Sequence, residues 1–256
     1  TPIFETQFSR VPPSRPAPEI ERVRAAVDLL SKAQKPIIVA GGGVMTSGAQ
    51  AELVGLAEAL QIPVATSLSA KGAIADHHPL SVGVVGTYSR ACANRAVSEA
   101  DLVFFVGTHA GGQITAMWKI PAPGTPVIQL DIDAEQLGRN YVNAVSLQGD
   151  AKVALRAMIN SGIRKSPESA KAWTGRVQHL VAEWRAAADK MRNSDAVPMR
   201  PERICKELTD WLPDNGVIVT DTGHAGMWSG QMIDLDKPGQ RYIRCEGSLG
   251  WGLPGA

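Results

Sequence analysis

Cysteine is scarce in this chain, and its three residues form no recognisable metal-binding or disulfide pattern. Cys92, Cys205 and Cys245 are odd in number and widely spaced, and no C-x-x-C pair occurs. Disulfide frameworks use even sets of cysteines, and most zinc sites use closely spaced cysteine or histidine pairs. The sequence therefore predicts neither, and a reducing, cytoplasmic compartment is the expected location.

Long hydrophobic runs and an excess of charge of one sign are also missing. The longest apolar runs, such as Leu102–Val106, are far shorter than the ~20 residues that a membrane-spanning helix requires. Lysine and arginine number 26 against 25 acidic residues, which leaves a net charge of +1 without a basic cluster. Neither a membrane nor a nucleic acid is therefore expected as a partner. The motifs H-E-x-x-H, G-x-S-x-G and G-x-x-x-x-G-K-[ST] are absent as well.

The sequence does contain a regular alternation of apolar strands and amphipathic helices. Each strand is apolar throughout, which is typical of a parallel sheet covered on both faces. The predicted strands are 36–40, 64–66, 102–106, 127–130, 145–147 and 217–220, and helices are predicted to begin near 19, 49, 91, 150, 167 and 201. A long loop is predicted between residues 71 and 88.

The same patterns divide the 256 residues into four segments. Residues 1–18 are rich in proline and predict an extended linker from an upstream domain. Residues 19–163 predict a doubly wound α/β domain. Residues 164–198 predict a long connecting helix, and residues 199–256 predict the truncated start of a second α/β domain.

A first glycine-rich turn, Gly41–Gly43, follows an apolar strand and precedes a helix. Backbone N–H groups in such a turn can hold a phosphate at the helix N-terminus. However, the turn does not match G-x-G-x-x-G, and no acidic residue ends a strand about twenty positions later. A tight structural turn and a nucleotide site are both compatible with these residues.

A second glycine-rich turn, Asp221–Trp228, also joins a strand to a helix and is more polar. The side chains of Thr222 and His224 can donate hydrogen bonds to an anion beside the backbone N–H groups. A solvated histidine at a helix end is the simpler interpretation of His224. The chain then reaches a third turn, where glycine beside Gly247-Ser248-Leu249 allows a ligand to approach the backbone closely. Residues 253–256 predict a first helical turn.

Taken in order, several segments of the chain resemble the thiamine-diphosphate-dependent enzymes of the acetolactate synthase type. The segment Asp221–Trp228 is similar to the D-x-G-x-x-x-M-W turn that opens the diphosphate-binding domain of that family. The resemblance extends over nearly the whole chain from Pro16 onward. The segments similar to the central domain of the family are 36–43 (PIIVAGGG), 62–72 (IPVATSLSAKG), 78–86 (HPLSVGVVG), 99–107 (EADLVFFVG) and 127–133 (VIQLDID).

The resemblance implies a thiamine diphosphate site whose residues lie in the second and third turns. It implies that the backbone of Gly223, His224 and Ala225 meets the diphosphate. It also implies that the Gly247 carbonyl accepts a hydrogen bond from the cofactor's 4′-amino group, while Leu249 donates its N–H to the ring. The Leu249 side chain is then the apolar wedge that keeps the cofactor bent. Thr222 and Ser248 complete the expected set.

Other parts of the implied active site lie outside the sequence. The domain that carries the activating glutamate is expected before Thr1, and the GDG…N motif for Mg²⁺ is expected after Ala256. No catalytic residue and no metal ligand is therefore assigned within this chain. The family also implies a homodimer or homotetramer with the active site at a subunit interface.

The expected function is to make or break a C–C bond next to a carbonyl, with a 2-oxo acid or related acyl donor as substrate. FAD-binding acetolactate synthases carry an R-F-D-D-R-like segment where this chain reads His109-Ala110-Gly111-Gly112-Gln113. Because the arginine and carboxylate partners are missing, tight FAD binding is not expected. The alternatives are an FAD-containing acetolactate synthase and a non-catalytic nucleotide-binding module that uses Gly41–Gly43.

Overall fold

The computed structural model describes residues 14–162, 164–165, 167–245 and 247–256. The upstream linker predicted at residues 1–18 therefore lies outside the described residues, except for residues 14–18, which have no regular secondary structure. Within the described ranges, no helix combines the length and the apolar character needed to cross a membrane.

Six parallel strands form one sheet with helices on both faces, and this confirms the predicted doubly wound α/β fold. The strand order is β3-β2-β1-β4-β5-β6. The strands are β1 (Pro36–Ala40), β2 (Val64–Thr66), β3 (Ser81–Val84), β4 (Leu102–Val106), β5 (Val127–Asp131) and β6 (Asn143–Gln148). The helices are α1 (Ile20–Lys32), α2 (Gly42–Ser47), α3 (Gln50–Leu60), α4 (Ala91–Glu99), α5 (Ala151–Asn160) and α6 (Pro167–Arg192).

The central strands are apolar throughout because both of their faces are buried. Side chains alternate across a strand, so Ile38 and Phe104 pack into the core on one face of the sheet. Ile37 and Phe105 pack into a separate core on the other face. This arrangement is the physical basis of the continuous hydrophobic runs in β1 and β4.

Three local predictions differ from the structure. The loop predicted between residues 71 and 88 contains β3, which pairs with β2 at the edge of the sheet. The short helix α2, which begins directly after Gly41, was not predicted, and it precedes the helix predicted from about residue 49. Residues 253–256 form a turn instead of a helix, closed by the Gly255 N–H donating to the Trp251 carbonyl at 2.9 Å.

A smaller α/β unit follows helix α6, as predicted. It consists of α7 (Pro201–Trp211), β7 (Val217–Thr220), α8 (His224–Met232) and β8 (Arg241–Arg244). Strands β7 and β8 pair in parallel and form a two-stranded sheet of their own. We refer to residues 201–256 as the second unit. The segment boundaries predicted at residues 163 and 198 stay a prediction.

Helix α6 packs along the central sheet and also contacts the second unit. Near its start, the Trp173 indole N–H donates to the Pro36 carbonyl at 2.8 Å. Near its end, Ala188 joins a buried apolar cluster that contains Leu68 from the central domain and Met232 and Tyr242 from the second unit. The second unit is thus packed against the sheet through a shared core.

A buried cluster of charges reinforces this contact. The Asp234 carboxylate, in the second unit, accepts a hydrogen bond from Arg90 at 2.8 Å and from Arg192 at 3.1 Å. Arg185 approaches the same carboxylate at 3.3 Å. Arg90 also pairs with the buried carboxylate of Asp76 at 2.9 Å. Removing one member of such a cluster leaves an uncompensated buried charge. The cluster therefore holds Asp234 of the second unit against Arg90 of the central domain and Arg192 of α6.

Candidate functional site

The carboxyl ends of β7 and β8 bring the second and third glycine-rich turns together. The two strands are in parallel register, with Thr220 opposite Arg244. Both strands therefore end at the same edge of the sheet, where β7 continues into residues 221–223 and β8 into the third turn, described at residues 245 and 247–250. Ligands of open α/β sheets bind at this edge.

The second turn delivers the backbone to the N-terminus of helix α8. Gly223 has a φ of 84° and a ψ of −145°, a conformation that favours glycine. A Cβ at this position would meet nothing within 4 Å, so the conformation rather than crowding requires glycine. Among the described residues, no side chain caps the helix, which begins at His224. The first backbone N–H groups of α8 therefore lack intrahelical acceptors.

Asp221 connects the two turns through its carboxylate. One oxygen accepts from the Thr222 N–H at 2.7 Å, and the other accepts from the Gly250 N–H at 2.8 Å. The Gly252 N–H lies 3.4 Å from the second oxygen. The Thr222 N–H, followed by the other backbone donors, holds the pKa of Asp221 below its usual range. The charged carboxylate thus fixes the spacing between the turns.

Thr222 forms a second connection between the turns. Its hydroxyl donates to the Cys245 carbonyl at 2.9 Å and accepts from Arg244 at 3.3 Å. The backbone N–H and the hydroxyl of Thr222 therefore both donate within the protein. Thr222 contributes to the site by shaping the turn. The ring of His224 lies 5.4 Å from the Trp228 ring, one helical turn further on.

The third turn places an exposed apolar side chain between two glycines. Gly247 and Gly250 both have a φ of 80°, and a Cβ at either position would meet nothing within 4 Å. Leu249 is 78% exposed. The Ser248 carbonyl accepts from the Cys245 thiol at 3.0 Å. The structure therefore brings the sequence-predicted residues of both turns to one edge of the small sheet.

These features fit a diphosphate-containing cofactor. The free N–H groups and the positive end of α8 suit an anion. The open space around Gly247 permits close backbone approach by a ring. Leu249 is large, apolar and unpacked, as a side chain that presses against a ligand must be.

The first glycine-rich turn has a structural explanation. A Cβ on Gly43 would lie 2.8 Å from the Gly107 Cα, and a Cβ on Gly41 would overlap the backbone at Gly107 and Thr108. Glycine is therefore needed because the turns after β1 and β4 pack against each other. This observation favours the tight-turn interpretation for Gly41.

A cleft nevertheless opens beside this contact, at the carboxyl ends of β4, β5 and β6. Its volume is about 260 Å³, and Gly43, Gly107 and Asp131 line it. Burial raises the pKa of the Asp131 carboxyl. Ligands of a doubly wound sheet usually bind outside the carboxyl ends of its strands.

Sequence reasoning did not identify the roles of Asp221 and Arg244. Both residues act across the β7–β8 pair, at separations of more than twenty residues in sequence from some of their partners. The only sequence signal was the position of Asp221 at a strand end before a glycine turn.

Comparison with known proteins agrees with this architecture. Residues 23–158, just over half of the chain, match the family described as "Thiamine pyrophosphate enzyme, central domain". The probable acetolactate synthase large subunit of Methanocaldococcus jannaschii is 32% identical over 243 residues, which cover 92% of this chain and 40% of that protein. Its counterpart in Methanococcus aeolicus is 33% identical over 251 residues, with 92% and 41% covered.

A third relative carries a different name. The glyoxylate carboligase of Escherichia coli O157:H7 is 29% identical over 259 residues, which cover 97% of this chain and 42% of that protein. The chain thus spans about two fifths of the length of the curated relatives that it matches. The family match confirms the resemblance seen in the sequence: the chain belongs to the thiamine pyrophosphate enzymes and contains their central domain at residues 23–158.

Proposed function

We propose that this chain is part of a thiamine-diphosphate-dependent enzyme that makes or breaks a C–C bond next to a carbonyl. Its substrate class is a 2-oxo acid or related acyl donor, as the names of the acetolactate synthase and glyoxylate carboligase relatives suggest. The observation that carries the proposal is the meeting of two glycine-rich turns, joined by Asp221 and Gly250, at the ends of β7 and β8.

In this proposal, the second turn holds the diphosphate. The backbone N–H groups of Gly223, His224 and Ala225 stand at the positive end of α8, and the absence of a side-chain cap among the described residues leaves them available. Asp221 is engaged by backbone donors of both turns, which partly compensate its negative charge.

The third turn holds the rings of the cofactor. We assign the Gly247 carbonyl as acceptor for the 4′-amino group and the Leu249 N–H as donor to the aminopyrimidine. The Leu249 side chain keeps the bound cofactor bent, and Ser248 connects the two residues that contact the rings. A rigid placement of this wedge is what preorganises the site.

When bound, the cofactor supplies a carbon nucleophile and stabilises the negative charge left by C–C cleavage. The residues of this chain bind and orient it. We place the Mg²⁺ ligands beyond Ala256 and the activating glutamate before Thr1, and we assign no catalytic residue here. The complete enzyme is proposed to be a cytoplasmic homodimer or homotetramer with its active site between subunits.

Tightly bound FAD is not part of the proposal. The segment between His109 and Gln113 carries no arginine and no carboxylate to hold a flavin. The absorbance spectrum of the purified full-length protein tests this point. Absence of flavin absorbance is expected, and a stoichiometric flavin spectrum would contradict it.

The activity is tested by incubating the full-length protein with thiamine diphosphate, Mg²⁺ and either pyruvate or glyoxylate. We expect release of CO₂ and formation of a carboligation product from at least one of them. Failure of both substrates to react, with thiamine diphosphate bound, would exclude the proposed 2-oxo acid chemistry.

The alternative of a nucleotide-binding module without chemistry of its own is not favoured. Gly41 and Gly43 are explained by the packing of the turns after β1 and β4, and the family match is to thiamine pyrophosphate enzymes. A protein that bound ADP but not thiamine diphosphate would support this alternative.

A further inference from the structure

Arg90 connects the central domain to the C-terminal end of helix α8, the helix whose N-terminus is proposed to hold the diphosphate. Its Nε donates to the Gln231 carbonyl at 2.8 Å. Gln231 lies in the last turn of α8, which ends at Met232. Carbonyls in the last turn of a helix lack intrahelical donors, and a cation at this end interacts favourably with the helix dipole. Arg90 thus caps α8 from a separate part of the fold.

The guanidinium of Arg90 is held in one orientation by its surroundings. Its Nη1 pairs with the Asp76 carboxylate at 2.9 Å, and its Nη2 donates to the Asp234 carboxylate at 2.8 Å. The guanidinium carbon lies over the Trp184 ring, 4.7 Å from its centre. The Arg90 side chain is only 2% exposed. Each of its three nitrogens therefore has a partner, and none of them faces bulk water.

The base of the Arg90 side chain is fixed as well. The Arg90 N–H donates to the Val84 carbonyl at 2.8 Å, at the end of β3. The side chain then crosses β3 so closely that a Cβ at Gly83 would overlap the Arg90 Cδ. The central sheet therefore sets the place at which Arg90 meets α8.

Helix α8 also packs closely against the central domain near this anchor. A Cβ at Gly230 would overlap the Leu68 Cδ2, so glycine is needed because the helix backbone approaches Leu68. The nine residues of α8 give a helix only about 13 Å long. A displacement of its C-terminal end therefore displaces the N–H groups at its N-terminal end.

We propose that Arg90 is a positioning residue for the cofactor. By anchoring the C-terminal end of α8, it fixes where the N–H groups of Gly223, His224 and Ala225 meet the diphosphate. Arg90 acts through the helix. The inference rests on the proposed function and deepens it, because it names a residue of the central domain that sets the affinity of the site in the second unit.

Arg90→Lys tests this role. Lysine keeps a positive charge beside Asp76 and Asp234, but its single nitrogen cannot replace the planar fork of a guanidinium, and the contact with the Gln231 carbonyl is lost. Titration calorimetry of the full-length protein with thiamine diphosphate and Mg²⁺ measures the effect. We expect the dissociation constant to rise about fivefold or more.

Hydrogen exchange in the absence of cofactor provides a second readout. The backbone amides of α8 should exchange at least about threefold faster in Arg90→Lys than in the wild-type protein, because the helix has lost its anchor. The amides of β4, in the centre of the large sheet, should exchange at the wild-type rate and serve as the internal reference.

Two further variants make the result specific. Leu30→Ala removes a buried side chain from the core on the opposite face of the sheet from α4. It should lower the melting temperature and leave the affinity for thiamine diphosphate unchanged. Trp184→Leu removes the ring beside the guanidinium but keeps the polar partners of Arg90. It should weaken cofactor binding about twofold to threefold, and it keeps the test valid if Arg90→Lys fails to fold.

The outcomes separate this inference from the proposed function. Wild-type affinity and wild-type exchange of α8 in Arg90→Lys, or in Trp184→Leu if it alone folds, would overturn the inference and leave the proposed function intact. A loss of affinity in Leu30→Ala as large as that in Arg90→Lys would also overturn it, since general destabilisation would then explain both. No binding of thiamine diphosphate by the wild-type protein would refute the proposed function and this inference with it.

Discussion

The carboxylate of Asp221 accepts a hydrogen bond from the backbone N–H of Gly250 at 2.8 Å. These residues belong to different glycine-rich turns, one after β7 and one after β8. The contact sets the distance between the N-terminus of α8 and the exposed Leu249 side chain. In the proposed function, this is the distance between the diphosphate and the rings of the cofactor.

Replacing Asp221 with asparagine should weaken thiamine diphosphate binding. An amide has one acceptor oxygen, so its NH₂ group would face either the Thr222 or the Gly250 N–H, and one of the two contacts would be lost. We expect the dissociation constant of the full-length protein to rise about tenfold. Titration calorimetry measures it, and Asp214→Asn, in the exposed turn before β7, is the control. Equal affinity in both variants would remove the role of Asp221.

Leu249→Ala should lower turnover more than it lowers cofactor affinity. The side chain is 78% exposed, so its truncation should change the free energy of unfolding by less than ~0.5 kcal/mol. Loss of the wedge would leave the cofactor bound but free to straighten. Steady-state kinetics with separate binding measurements tests this, and Leu253→Ala, also exposed, is the control. Unchanged turnover in Leu249→Ala would contradict the wedge role.

Asp234→Asn should destabilise the protein strongly. The Asp234 carboxylate is buried and pairs with Arg90, Arg185 and Arg192. Its neutralisation leaves those arginines uncompensated, at an expected cost of about 3 kcal/mol. Urea unfolding measures the difference. Asp210→Asn breaks an exposed pair with Lys206 and should cost less than ~1 kcal/mol, so similar losses in both variants would argue against the cluster's role.

The same cluster predicts how stability depends on acid pH. Burial alone would raise the pKa of Asp234, but the nearby cations, Arg90 foremost, outweigh it and hold that pKa below its usual range. The unfolded carboxyl has a pKa of about 3.9, so the unfolded state binds the proton more readily. The stabilisation is therefore fully present above about pH 5 and is lost as the pH falls through the lower folded value.

Urea unfolding between pH 3 and pH 6 measures this dependence. Wild-type stability should fall with decreasing pH, and Asp234→Asn should show a shallower slope because one of the linked carboxyls is gone. A slope in the variant equal to that of the wild type would show that Asp234 does not contribute to the acid transition.

The strands that were predicted most directly are those that are buried on both faces and therefore consist of consecutive apolar residues. Leu102–Val106 is buried on both faces and is apolar at every position, so the pattern alone identifies it. Ser81–Val84 was missed because it is a four-residue edge strand that contains serine and glycine. Its pairing with β2 depends on tertiary structure, which no local pattern encodes.

The candidate site was predictable only in part, for the same reason. Glycine marked the turns at Gly223 and Gly247, where a positive φ is required. The contact between Asp221 and Gly250 spans 29 residues and depends on the parallel pairing of β7 with β8. These relationships exist only in the folded chain.

Isothermal titration of the full-length protein with thiamine diphosphate in the presence of Mg²⁺ tests the central claim most directly. We expect saturable binding of one cofactor per chain, which Asp221→Asn weakens. No detectable binding of thiamine diphosphate at millimolar concentration to the folded protein would contradict the proposed function.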